Sequence, residues 1–273
     1  MDIWFTLYAL AVAVVFFVLV LFVLRNLHIY DYRDECLTDG TEPLKHIPKK
    51  IFQLVPDKHN INALFQKNID YIKKLNPDWT YTLYDDNDII SYIHNYYPEL
   101  WPYYAKINPK YGAARADFFR YLLMYREGGV YLDIKSAMRF PLDKILYPDD
   151  EYILAHWSGN PQHDKVNNTM GEYQQWHIIC KPGHPFLKKV IQTVIKNIQD
   201  YRLSDGTGKE TVLKVTGPIA YTNAIIPLLD KYNHRLVEID EMAGLVYNNL
   251  DQSHIKLFSK THYSKISEPI ILF

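Results

Sequence analysis

Asp117, Arg120 and Asp133 are the residues whose types and spacing point to chemistry on a polar ligand. Asp117 and Arg120 stand three apart in a helix-forming run, so they share one face. They either pair with each other or present a carboxylate and a guanidinium outward. Asp133 follows Val130, Tyr131 and Leu132, a short apolar run that reads as a buried strand. A carboxylate where such a strand exits is placed to face a ligand, because α/β sheets bind at the carboxyl ends of their strands. The alternative reading is a cap on the next element.

The elements that must position these groups lie in one stretch, Tyr111 to Lys135. Ala113, Ala114, Ala116, Leu122, Leu123 and Met124 are good helix formers uninterrupted by proline. Gly128 and Gly129 supply the left-handed backbone that ends a helix, and the strand begins at once. Upstream, Ile47 to Val55 reads as a strand limited by Pro56, Ile61 to Leu75 as a helix and Trp79 to Tyr84 as a strand. Asn87 to Tyr96 reads as helix, and Asp85-Asp86 before it as a helix-initiating turn rather than a metal pair. This alternation predicts the α/β class, a parallel sheet with helices on its faces. No G-x-G-x-x-G phosphate loop is present, so a diphosphate would be held by side chains or a metal.

Here the chain resembles glycosyltransferase family 32, the DXD-type sugar transferases that include the yeast initiating mannosyltransferases, and it is similar to the catalytic core of the clostridial glucosylating toxins. The residues that carry the resemblance are Ala116-Asp117-Phe118-Phe119-Arg120-Tyr121 and Gly128-Gly129-Val130-Tyr131-Leu132-Asp133-Ile134-Lys135. Where the family pattern has its second aspartate, this chain has Lys135. Further matches are Ile47-Pro48-Lys49 with Ile51-Phe52-Gln53, Asn76-Pro77-Asp78-Trp79 leading to Asp85-Asp86, Pro182-Gly183-His184-Pro185-Phe186-Leu187, and Thr216-Gly217-Pro218. The resemblance covers about residues 47 to 265.

It implies the GT-A fold, a Rossmann-like nucleotide-sugar domain, and a retaining hexosyltransferase acting from GDP-mannose or a UDP-sugar on a glycan or glycoconjugate. It places Asp117, Arg120, Tyr131 and Lys265 around the donor, and Asp133 and Lys135 at the reaction centre. It also implies a divalent ion, Mn2+, on Asp133 and His262. Breaking the anomeric C–O bond leaves negative charge on the diphosphate, which positive charge must meet. With Lys135 in the second position three outcomes stand: Asp133 and His262 hold the ion with water, Lys135 meets the diphosphate directly, or the site is dead.

The remainder of the chain extends the pattern. Glu151 to His156 and Glu172 to Cys180 read as strands, and Phe186 to Gln199 and Ile219 to Leu229 as helices, with His184 as a cap or turn residue. The resemblance places Gln174, Gln175 and Trp176 where the family lines its sugar or acceptor pocket; strand alternation turns only half of them inward, and Gln175 is the expected acceptor-side residue. Gly217 either lets backbone approach the acceptor or shapes the turn.

Residues 3 to 24 are apolar apart from Thr6, about 33 Å as a helix and long enough to cross a bilayer. The expected organisation is a membrane anchor over 1–25, a stem over 26–46 and a GT-A catalytic domain over 47–273. Arg25 and Arg33 after the span favour a cytosolic domain, whereas the family resemblance favours the ER or Golgi lumen. Cys36 and Cys180 suit either compartment, and Asn167-Asn168-Thr169 is a single glycosylation sequon. A net charge of −1 gives no electrostatic basis for nucleic-acid binding. The competing class is a catalytically decayed, membrane-anchored binding protein for carbohydrate or nucleotide-sugar.

Overall fold

The computed structural model describes residues 12–20, 37, 46–157, 171–237, 243–250 and 266–273. The chain divides into two compact units, Met1–Gly40 and Thr41–Phe273. In the first, residues 12–20 are helical with exposed valine, leucine and phenylalanine side chains. The rest of the apolar stretch over 3–24 lies outside the described residues, as do Cys36, the Asn167 sequon, His262 and Lys265.

The second unit is built on a six-stranded sheet, in the order β2-β1-β3-β6-β5-β7. These are β1 Lys50–Leu54, β2 Thr80–Tyr84, β3 Gly129–Leu132, β5 Tyr152–Ala155, β6 His177–Cys180 and β7 Arg235–Val237. A separate two-stranded ribbon pairs β4 Ala137–Met138 with β8 Leu245–Val246. The connecting helices are α1 Ala63–Leu75, α2 Asp86–Tyr96, α3 Trp101–Lys106, α4 Gly112–Glu127, α5 Leu142–Ile145, α6 Pro185–Asp200, α7 Gly208–Val215 and α8 Pro218–Ile225.

The sheet is mixed: the parallel expectation, drawn from the first strands and helices, holds for those strands and is corrected beyond them. β2, β1 and β3 are parallel, but β6 runs antiparallel to both β3 and β5. Buried strands of either direction read as the same apolar run, so periodicity carries no sign of direction. The expected strand over Glu172–Cys180 is likewise shorter, starting at His177. Residues 173–176 make only an isolated bridge, Tyr173 to His156; the Tyr173 amide donates to Thr222 Oγ1, the Gln174 amide to the Ala155 carbonyl, and the Gln175 and Trp176 carbonyls accept from Arg120 and the Asp133 amide. The helix expected over Ile219–Leu229 becomes α8 followed by a 3-10 helix, Ile226–Lys231.

α4 is the central helix, and its buried residues run unbroken from Asp117 to Tyr125. A helix apolar all round belongs inside; that this one also buries Asp117 and Arg120 is the anomaly on which the site rests. It ends where Gly128 (φ 60°) and Gly129 (φ 96°) fold it straight into β3. A Cβ on Gly128 would stand 2.6 Å from the Pro182 ring, and one on Gly129 2.6 Å from the Lys50 carbonyl oxygen. Both glycines are thus required by backbone conformation and by close approach.

Asp85 caps α2, accepting from the Asn87 and Asp88 amides, while Asp88 answers with its own carboxylate. The longest apolar helical run among the described residues, Gly208–Lys231, is 61% buried over its apolar window and serves as core. Its break at Thr216–Gly217 is tightly packed, for a Cβ on Gly217 would stand 2.8 Å from the Leu213 Cα.

His184 caps α6. Its Nδ1 accepts from the Phe186 amide at 3.2 Å, and its Nε2 lies 3.3 Å from the Asn233 carbonyl oxygen, so the ring is neutral with its proton on Nε2. Burial pulls its pKa down to about 4 from an ordinary 6.5. Unfolded chain therefore binds the proton first as pH falls. The stability this residue contributes is complete above pH 6.5 and is lost as pH drops toward 4, on the order of 3 kcal/mol. Urea unfolding followed between pH 7 and 4 should show this loss, and His184→Asn, which keeps the cap, should flatten the profile in that window.

Candidate functional site

The site is assembled around one buried cation. Arg120 is 6% exposed, on the face of α4 that looks onto the end of β3. Its Nη2 lies 3.3 Å from Asp117 Oδ1, one turn back, and its Nη1 3.1 Å from Asp133 Oδ1. Nη1 also donates to the Gln175 carbonyl at 2.9 Å, and Nε lies 3.4 Å from the Ala116 carbonyl. The Tyr131 ring lies 4.7 Å from the guanidinium, and its hydroxyl donates to Asp133 Oδ1 at 3.0 Å. Burial works against the arginine's charge, but Tyr131, Asp133 and Asp117 outweigh it and hold its pKa above the ordinary value. Burial pushes the Tyr131 hydroxyl well up as well, so it stays a neutral donor.

Asp117 is 4% exposed, and both its oxygens are used inside the protein. Oδ1 accepts from Gln175 Nε2 at 3.1 Å, and Oδ2 from Thr216 Oγ1 at 3.0 Å. Burial pushes its carboxyl above the usual carboxylate range, opposed by Arg120 and by these two donors. Tyr121, one position beyond Arg120, reaches Gln175 Oε1 at 2.7 Å and the Thr216 carbonyl at 2.9 Å. Gln175, expected on the acceptor side, therefore points into this cluster and ties α4 to the stretch before β6, while Asp117 and Tyr121 tie α4 to Thr216 in the loop before α8. Gly217, next to Thr216, packs on α7, which accounts for the glycine.

Asp133 is the member that faces outward, its side chain 26% exposed. Oδ1 is fixed by Arg120 and Tyr131; Oδ2 has no partner among the described residues. The turn it begins, residues 133 to 136, is held by its backbone. Asp133 donates its amide to the Trp176 carbonyl at 2.8 Å, and its carbonyl accepts from Gln53 Nε2 at 3.0 Å. Asn68 Nδ2 donates to the Ile134 and Ser136 carbonyls, each at 2.9 Å. The Lys135 carbonyl accepts from the Asn249 amide at 2.8 Å, and Asn249 Nδ2 in turn donates to Asn68 Oδ1. Four consecutive carbonyls are thus gripped, by β1, α1 and the segment after β8. Gln53 is itself held by the Tyr81 hydroxyl at 2.8 Å.

Asn68 and Asn249 were missed by sequence reasoning, and Gln53 was read only as part of the opening-strand motif, without this role. Gln53 carried a signal, a glutamine inside the apolar run Ile51-Phe52-Gln53-Leu54-Val55; Asn249 carried none. Lys135 is half-buried, with Nζ 2.7 Å from the Tyr247 hydroxyl and 4.0 Å from that ring's centroid.

As a place for a divalent ion the arrangement is incomplete. Among the described residues no three His, Cys, Asp or Glu side chains come together to hold a metal. Asp133 Oδ2 is one hard oxygen where such ions take about six, and an ammonium stands on the same turn. These residues do not by themselves fit the expected ion. The larger described cavity, about 660 Å³ and lined by Lys49, Trp79, Asp143 and Tyr147, lies at the amino ends of β1 and β2, away from Asp133.

Residues 62–152 match the glycosyltransferase sugar-binding region containing a DXD motif. Inositol phosphoceramide mannosyltransferase 2 of Schizosaccharomyces pombe is 30% identical over 163 residues, 59% of this chain and 40% of that protein. The initiation-specific alpha-1,6-mannosyltransferase of the same yeast is 26% identical over 201 residues, 67% of this chain and 49% of its own. The chain thus spans about half the length, or less, of these relatives. Among solved structures, the PaToxG glycosyltransferase superposes with a TM-score of 0.51 at 18% identity, covering 74% of this chain and 76% of that one, which establishes the likeness of fold. Over residues 62–152 the chain thus matches the sugar-binding region of DXD-containing glycosyltransferases, and its fold is similar to that of a solved glycosyltransferase.

Proposed function

We propose that this chain transfers a hexose from a nucleotide-sugar to a glycan or glycoconjugate acceptor. The observation that carries the reading is Asp133, fixed on one oxygen by Arg120 and Tyr131 and open on the other, at the carboxyl end of β3. An ionised oxygen so placed accepts hydrogen bonds from donor hydroxyls, and Arg120 holds it at one angle without meeting solvent. Asp117 acts through Arg120 as a positioning residue, with Gln175 and Thr216 setting its angle. The leaving diphosphate gathers negative charge as the anomeric bond breaks, and Lys135 is the cation on the same turn that meets it.

Asp133 Oδ1 is neutralised by a guanidinium and a phenol, which makes this carboxylate a poor covalent nucleophile. Same-face displacement follows: the acceptor hydroxyl forms the new C–O bond, the sugar–phosphate bond breaks, and the departing phosphate oxygen takes the acceptor's proton. Mannose from GDP is the donor we favour, since the relatives named above are mannosyltransferases. Residues 3–24 are assigned as the membrane anchor, 26–46 as stem and 47–273 as a catalytic domain in the ER or Golgi lumen, with His262 and Lys265 completing the donor side.

The full chain, purified in detergent, should release nucleoside diphosphate from one member of a GDP- and UDP-sugar panel and pass the sugar to a glycan or glycolipid. Binding of a nucleotide-sugar without turnover of any donor would favour the decayed, binding-only alternative. Asp117→Asn should keep the shape of the cluster, cost on the order of 1–2 kcal/mol of stability and lower kcat/KM by about a hundredfold. Because Asp117 acts through Arg120, that fall should lie in kcat more than in KM. For the lumenal assignment, the expressed chain should lose apparent mass on endoglycosidase treatment, and Asn167→Gln should abolish the shift.

A further inference from the structure

Lys135 has a dedicated partner that the reaction scheme above leaves unused. Tyr247, just past β8, places its hydroxyl oxygen 2.7 Å from the ammonium, which also lies 4.0 Å from the ring centroid. The tyrosine is itself clamped. Its ring meets Trp157 edge-on at 4.9 Å and tilts against Trp176 at 5.5 Å. Its carbonyl accepts from Ser136 Oγ at 2.6 Å, so it is fastened to the turn that bears Lys135. β8 reaches this place through pairing with β4, Ala137 to Val246 and Met138 to Leu245.

A lysine on a held turn still has four rotatable bonds, and ordering them is costly. Tyr247 removes most of that freedom while consuming one of three N–H donors, and the other two remain for phosphate oxygens. The ammonium is thus pre-positioned beside Asp133, on a turn whose residues do not by themselves make a divalent site.

We propose that Tyr247 is a positioning residue that fixes the Lys135 ammonium for the donor's diphosphate, so that nucleotide binding at this site requires no divalent ion. This rests on the reading of the site as a nucleotide-sugar site, and binding rather than turnover is the measurement that separates the two. The full chain in detergent is titrated with GDP and with UDP by calorimetry, once with EDTA and once with Mn2+. Binding of free Mn2+ is followed in parallel by electron paramagnetic resonance.

The wild-type chain should bind one nucleotide with a Kd that EDTA changes by less than about twofold, and should take up no Mn2+ in its presence. Lys135→Ala should weaken binding by about tenfold or more in either medium, the size of a charge-assisted hydrogen bond. Tyr247→Phe, which keeps the ring and removes the hydroxyl, should weaken it by about threefold, with an unchanged thermal midpoint showing that the ribbon is intact. Lys135→Asp should lose binding in EDTA and recover it only with Mn2+, now with manganese uptake. Wild-type binding abolished by EDTA, or left unaltered by Lys135→Ala, overturns the inference while leaving the transferase reading in place. Absence of binding to both nucleotides in both media overturns that reading, and this inference with it.

Discussion

A guanidinium withdrawn from water in the middle of a helix sets the terms for everything around it. Left without acceptors, Arg120 would cost the fold several kcal/mol, so the chain must bring oxygen to it from every side. It does so from its own helix, through Asp117 and the Ala116 carbonyl, and from two distant stretches, Asp133 at the end of β3 and the Gln175 carbonyl just before β6. The Tyr131 ring closes one face. Asp117 has second attachments to Thr216 and Gln175, Tyr131 to Asp133, and Asp133 to the held turn. A demand made by one charge thereby fixes the geometry of a whole site, and Asp133 Oδ2 is the oxygen left facing outward.

Local features of the fold were legible in the sequence because local physics decides them. The helix ending in Gly128-Gly129 and the strand that follows are written in propensity and in the need for positive φ. Asp85 as a cap and His184 as the cap of α6 could be read from position alone. The direction of β6 could not, since His177-Ile178-Ile179-Cys180 is equally good buried parallel or antiparallel. Nor could the extended stretch at 173–176, where Gln174 and Gln175 answer to partners far along the chain.

In the site, the motif residues were visible and their supports were not. Asp117, Arg120 and Asp133 announce themselves as charges in an apolar setting. Gln53 and Asn68 lie far along the chain from Tyr247 and Asn249, Asn68 and Asn249 by 181 positions, and they meet only once the sheet and ribbon have formed. Sequence also cast Asp117 as a group that touches ligand directly, whereas it is turned inward to its own arginine. A carboxylate's type shows in the sequence; which way it faces depends on what else is buried beside it.

The gripped turn has a consequence for how such a protein can change over generations. Its four carbonyls are secured by β1, α1 and the segment past β8, and none of those bonds uses the side chain of residue 135. That side chain is accordingly a free variable: it can reverse sign without disturbing the backbone that presents it. A lineage could exchange a carboxylate for an ammonium here in a single step and remain folded, with selection then acting only on which cation, mineral or organic, meets the substrate. The rigidity of the turn is what makes its chemistry mutable.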